Sequence, residues 1–265
     1  MKVQFDGNTV FYGTGSGNPQ ADAPTMIFLH GAGHDHTVWV MQARYFARHG
    51  FRVWALDLPG HGMSDGPALT TVDAMADWLQ AFIASQHPAG LAAKVSLVGH
   101  SMGSLIVQSF AARYPLQLEK FALVATASPM PVTPLLLDAA KDNDHAAIDM
   151  ANTWSHGQRS LFGVGENPGM SNLRLGERLL ERVAKDVYYT DFAACNSFDG
   201  SGYPPAAAPG LVIAGEEDKM TPVKAGLGVA KALGLPNTVT LPGSGHSMFN
   251  ESPNQLLDAL ADFFL

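Results

Sequence analysis

Gly99-His100-Ser101-Met102-Gly103 sets a serine between two glycines. The run before it, Lys94-Val95-Ser96-Leu97-Val98, is β-branched and apolar, as a buried strand is. The run after it, from Ser104 to Ala112, reads as an apolar helix. A serine between strand and helix sits on a sharp turn. Glycines two positions to either side remove Cβ atoms that would collide there. The hydroxyl is thereby pushed out of the sheet, where it can act as a nucleophile.

A nucleophilic serine needs a base, and the base needs an orienting acid. The base candidate is His246, in Leu241-Pro242-Gly243-Ser244-Gly245-His246-Ser247-Met248, a turn-rich loop after a strand at 238–241. The acid candidate is Asp218, in Gly215-Glu216-Glu217-Asp218-Lys219-Met220-Thr221-Pro222, after a short buried strand at 211–214. Glu216 and Glu217 are its rivals. The two loops meet only if the two strands are neighbours. Developing negative charge on a substrate oxygen needs two backbone donors. His30-Gly31-Ala32-Gly33 follows a strand at 25–29, and its glycines keep side chains away from the backbone N–H groups. The donors are assigned to the N–H of Ala32 and of Met102, the latter in the first turn of the helix after Ser101. His30, Trp154 and Met248 are candidates for the substrate pocket.

These loops need a scaffold. Residues 3–5 and 9–12 read as an opening hairpin around Asp6-Gly7-Asn8. Strands near 25–29, 51–56, 94–98 and 120–125 alternate with helices near 38–49, 71–86 and after Ser101. This predicts an α/β fold with a mainly parallel central sheet and helices on both faces. The alternation breaks after Ala127. Helical patterns appear near 134–156, 173–184 and 186–195, and the sheet pattern resumes at Leu211. The expected organisation is a core at 1–127 and 206–265 with a helical cap inserted at 128–205. Thr221 and Ser252 are expected to cap the helices starting at Pro222 and near Pro253. Met150, Trp154, Phe162 and Met170 either line a pocket or pack the cap, and packing is the simpler reading. Arg174, Glu177, Arg178, Glu181, Arg182 and Lys185 read as a solvated helix face.

Together these segments resemble the α/β-hydrolase family along nearly the whole chain. The chain order Ser101, Asp218, His246 and the stretch Asp57-Leu58-Pro59-Gly60-His61-Gly62-Met63-Ser64-Asp65 belong to that resemblance. It places the acid at Asp218. It implies a cap that roofs the site and governs substrate preference more than serine reactivity. It also implies a serine hydrolase acting on a carboxylic ester, lactone or thioester through an acyl-enzyme. The alternatives are a C–C bond hydrolase or cyanohydrin lyase with the same triad, or a ligand sensor on the same fold. Family members that use a carboxylate at the elbow, the dehalogenases and epoxide hydrolases, are disfavoured by Ser101.

The composition narrows the partners. The net charge is −8 and no Lys/Arg cluster occurs, which argues against nucleic acid and anionic membrane. The expected partner is a small ester-type molecule, and the sequence does not set the oligomeric state. The first eight residues carry no apolar stretch of signal-peptide length. One cysteine, Cys195, rules out an intrachain disulfide, fits the cytoplasm and reads as a small buried residue. His30, His34, His36 and Asp35 raise the question of zinc, which needs three convergent ligands. No second ligand cluster follows downstream, so neither metal nor cofactor is expected.

Overall fold

The computed structural model describes residues 1–165 and 169–265. The strands are β1 (Lys2–Phe5), β2 (Asn8–Gly13), β3 (Thr25–Leu29), β4 (Arg52–Leu56), β5 (Val95–His100), β6 (Leu118–Val124), β7 (Gly210–Gly215) and β8 (Asn237–Leu241). They form one sheet in the order β1-β2-β4-β3-β5-β6-β7-β8. β1 and β2 pair antiparallel, as do β2 and β4, and the remaining pairs are parallel.

The helices α1 (Val40–Arg48), α2 (Val72–Gln86) and α3 (Met102–Arg113) join the first strands. Between β6 and β7 come α4 (Pro134–Lys141), α5 (His145–Trp154), α6 (Gln158–Leu161), α7 (Asn172–Leu180) and α8 (Val187–Ser197). The chain closes with α9 (Val223–Ala232), α10 (Met248–Glu251) and α11 (Pro253–Phe264). Among the described residues of 128–205 there is no strand.

The central strands are apolar throughout because both sheet faces are covered. In β3, Ile27 and Leu29 join Leu97, Phe121 and Leu123 in a core shared with α2, α3 and α9. Met26 and Phe28 point the other way and join Val53, Val124 and Ile213 in a core shared with α1 and α11. The strand period of two thus feeds two cores from one run. A smaller third core of Leu136, Ala140, Ala147, Ala151 and Phe192 lies within the inserted helices.

Three local expectations change. The strand expected to end at Val98 runs on to His100, because Gly99 and His100 keep pairing with Leu123 and Val124. The helix expected over 134–156 is two helices. Asn143 adopts φ +54° and Asp144 accepts from the Ala146 N–H, so the Asp-Asn-Asp run makes a turn and restarts the helix. Neither expected cap forms as expected. The helix after Pro222 starts at Val223 with Pro222 at its cap position, and the Thr221 hydroxyl bonds Asp218, whereas Ser252 makes no side-chain cap bond.

Candidate active site

The chain passes from β3 to β4 on one side, then crosses to β5 on the other. Where strand order reverses, the loops at the strand ends part and leave a crevice. Ser101 follows β5 and Ala32 follows β3, so both lie there. Ser101 adopts φ 52° and ψ −117°, a strained conformation for a residue with a Cβ. The flanking glycines make the turn possible. A Cβ on Gly99 would lie 2.2 Å from the Gly103 carbonyl oxygen, and one on Gly103 would lie 2.4 Å from that of Leu29.

β7 and β8 are neighbours, with Gly215 opposite Leu241, so the loops carrying Asp218 and His246 emerge side by side. His246 Nδ1 donates to Asp218 Oδ2 at 2.8 Å. The Asp218 carboxylate is held from all sides. Its Oδ1 accepts from the N–H of Met220 and of Thr221, both at 2.8 Å, and its Oδ2 accepts from the Thr221 hydroxyl at 2.7 Å. Glu216 instead accepts from the Gly243 N–H, and Glu217 from the Gln158 N–H.

The His246 backbone is fixed just as firmly. Its N–H and that of Ser247 both donate to the Ser155 carbonyl, at 2.8 and 3.0 Å. Its carbonyl accepts from His100 Nε2 at 2.8 Å. Glu251 bridges the same loop to the inserted helices, accepting from Gly245 N–H at 3.0 Å and Gly157 N–H at 2.8 Å. None of these contacts was foreseen. Thr221, a hydroxyl three residues after Asp218, is close enough in sequence to carry a local signal, whereas the side chains of His100 and Glu251 reach partners remote in the chain or across the loop.

Two cavities meet at Ser101. One of about 110 Å³ is bounded by Ala32, Ser101 and His246 at its floor and by Met130, Leu136, Trp154, Phe192, Cys195 and Met220 above. A tighter one of about 30 Å³ lies on the side of His34, Asn152, Leu180, Phe249 and Asn250. Trp154 therefore faces the serine. His30 and Met248 do not line either cavity and are fully buried elsewhere. His30 Nδ1 donates to the Gly31 carbonyl and its Nε2 accepts from the Leu58 N–H, which ties two loops together. Met248 is fully buried and packs in the core shared with Leu256 and Leu260 of α11. Met150 packs in the third core, while Phe162 and Met170 are exposed. Cys195 is buried, and burial pushes its thiol up.

The question of a metal falls on two other trios among the described residues. One, not expected from the sequence, is a downstream, exposed cluster of His145, Asp149 and Glu177, where His145 is already bonded to Asp149 and Glu181. Asp35, His36 and Asp57 converge, but His36 already gives both its N–H and its Nδ1 proton to Asp57. Asp35 is likewise engaged by Thr37 and Arg182. Arg182 stays solvent-exposed, as expected of that helix face, but pairs with Asp35 outside the inserted helices, whereas Arg174–Glu177 and Arg178–Glu181 pair along the face itself.

Three histidines around the site are kept neutral. Burial, reinforced by neighbouring histidines, holds His30 at about 4 and His34 at about 3, and pushes His100 well below its ordinary value. In the unfolded chain all three take up protons near the ordinary histidine value of about 6.5, so acid favours unfolding. Their contribution is complete above that value and is lost as pH falls toward the folded values. The melting temperature is expected to drop by roughly 10 °C or more from pH 7 to pH 5. A His34→Gln variant should flatten that slope, and a flat wild-type curve would refute the assignment.

The Alpha/beta hydrolase family model matches residues 26–259, and the chain belongs to that family. Along its length it is 25% identical to (E)-2-((N-methylformamido)methylene)succinate hydrolase of Acinetobacter baylyi, over 91% of this chain and 90% of that one. A shorter stretch is 43% identical to the pimeloyl-[acyl-carrier protein] methyl ester esterase of Chromobacterium violaceum, over 39% of this chain and 37% of the relative. The fold matches the enol-lactonase from Burkholderia xenovorans LB400 with a TM-score of 0.83 at 21% identity, covering 99% of both chains. Among the described residues no helix is long and apolar enough to cross a membrane.

Proposed function

We propose that this hydrolase cleaves a carboxylic ester, lactone or thioester of a small molecule through an acyl-enzyme on Ser101. The observation that carries the reading is one cavity bounded by both Ser101 and His246, with the His246 Nδ1 committed to Asp218. That commitment leaves Nε2 as the basic nitrogen. Ser101 Oγ attacks the carbonyl carbon as His246 Nε2 takes its proton. The backbone N–H groups of Ala32 and Met102 hold the resulting oxyanion. Collapse expels the alcohol or thiol, which takes its proton from His246. Water then attacks the acyl carbonyl by the same steps and frees Ser101. Asp218 keeps the imidazole in the right tautomer and stabilises its cation. No cofactor enters these steps, and the expected partner is the small substrate alone.

The apolar walls of the 110 Å³ cavity suit a short hydrocarbon group. Profiling turnover over acyl length, lactones and diketones, with fluorophosphonate labelling of Ser101, tests the reaction class. Sustained turnover of short esters or lactones supports the reading. Cleavage of diketones alone points to C–C hydrolysis, and one slow cycle points to a sensor. Trp154→Ala should open the cavity and raise kcat/KM for longer acyl chains about tenfold relative to short ones, since each added methylene counts for 1–3 kcal/mol in such a pocket by rough measure. An unchanged chain-length profile would place the acyl group elsewhere.

A further inference from the structure

A buried carboxylate from the inserted helices reaches the loop assigned to the oxyanion. Asp191, on α8, is fully buried, and its Oδ2 accepts from the Gly33 N–H at 2.8 Å and from His61 Nε2 at 2.8 Å. Its Oδ1 has no hydrogen-bond partner among the described residues. His61 Nδ1 faces the Pro59 carbonyl at 3.0 Å. Both ring nitrogens therefore face acceptors, and only the imidazolium satisfies both. Burial works against that charge, but the Asp191 carboxylate and the Pro59 carbonyl outweigh it and raise the His61 value.

Gly33 lies in a tight turn. His34 N–H donates to the Gly31 carbonyl at 3.1 Å, so Ala32 and Gly33 are its two central residues. Gly33 adopts φ +67°, as the third residue of a type II turn does. Such a turn interconverts with type I by flipping its central peptide, here the one joining Ala32 to Gly33. A glycine at the third position tolerates both forms. A flip would rotate the Gly33 N–H away and reverse the Ala32 carbonyl, and with it the dipole beside the Ala32 N–H, which itself belongs to the preceding peptide. Asp191 holds that N–H in place, and Tyr188, one turn earlier on α8, packs where a Gly33 Cβ would stand.

We infer that Asp191 is a positioning residue for the oxyanion hole, locking the Ala32–Gly33 peptide from the inserted helices through its bond to the Gly33 N–H. The inference rests on the reading of Ser101 as nucleophile and Ala32 as oxyanion donor. It states that the active site is complete only with α8 in place. His61 serves as the buried partner that keeps the Asp191 carboxylate aimed at the Gly33 N–H.

The test uses the full chain with a short p-nitrophenyl ester, and kcat is expressed per site titrated by fluorophosphonate. Asp191→Ala should lower kcat about 100-fold with KM within about threefold, because the oxyanion exists only in the transition state. The rate of fluorophosphonate labelling should fall in parallel. Asp191→Asn keeps a carbonyl oxygen for the Gly33 N–H and should recover most of the loss. Arg182→Ala, which removes a more exposed tie between the same layers, should stay within about twofold. Should Asp191→Ala fail to fold, Asp191→Leu fills the same space without an acceptor and takes its place. A fall of tenfold or more in kcat, with Asn closer to wild type, bears the inference out. A smaller fall, an equal fall in the Asn variant, or a loss of thermal stability with kcat per site intact overturns it. Activity surviving in Ser101→Ala would instead sink the reading beneath it.

Discussion

Ser101→Ala is expected to lower ester turnover by about five to six orders of magnitude and to abolish covalent labelling by fluorophosphonates. The magnitude follows from how the parts act as a unit. On the proposed mechanism no acyl-enzyme forms without Oγ, and His246 has no proton to accept from residue 101. Residual catalysis can come only from the oxyanion donors and from binding. The variant should fold normally, because a methyl group at Ser101 keeps the Cβ that its φ of 52° already accommodates. Labelling of the alanine variant at the wild-type rate would assign the nucleophile to another residue.

Asp218→Asn is the second large effect, a fall of about a thousandfold to ten-thousandfold in kcat. The asparagine occupies the same space, but its amide group turns a donor toward His246 Nδ1. The Met220 and Thr221 N–H groups, both on Oδ1 in the wild type, hold the remaining oxygen on their side and so favour that orientation. The imidazole is then driven to carry its proton on Nε2, where it cannot accept one from Ser101. Glu216→Gln and Glu217→Gln should each stay within about tenfold of wild type, since their carboxylates bond the Gly243 and Gln158 N–H groups and not His246. Kinetics of the three variants side by side decide the matter. A crippled Glu216→Gln with an active Asp218→Asn would give the acid's role to Glu216.

Much of this architecture could be read from local pattern. The strand–serine–helix junction announced itself because its constraints are local: an apolar run, two glycines whose absent Cβ atoms are needed, and a helix start. The loops of Asp218 and His246 followed from strands whose adjacency could be stated only as a condition, and β7 pairing with β8 meets that condition. What stayed hidden depended on residues far apart in the chain. Asp191 and His61 are separated by 130 positions, and nothing around either names the other. Ser155 acts through its carbonyl, which every residue possesses, so no side chain could have marked it. His30 and Met248 were misplaced for a related reason. Both stand near the site in sequence, but side-chain direction is set by packing, which turned one into a loop tie and the other into the core.

The Ser155 carbonyl has a practical consequence for anyone who would treat the inserted helices as an interchangeable part. The expectation from the sequence is that replacing 128–205 with a short linker leaves a sheet-containing core and changes substrate preference more than Ser101 reactivity. Yet the carbonyl that anchors His246 and Ser247 lies at the end of α5, and Gly157 just beyond it is clasped by Glu251. The seam between the two parts of the molecule therefore runs through the loop of His246, the proposed base, not around it. A chimera that borrows a foreign roof must import a matching carbonyl and amide at that seam. Otherwise His246 keeps its ties to Asp218 and His100 and loses the one that fixes its N–H side.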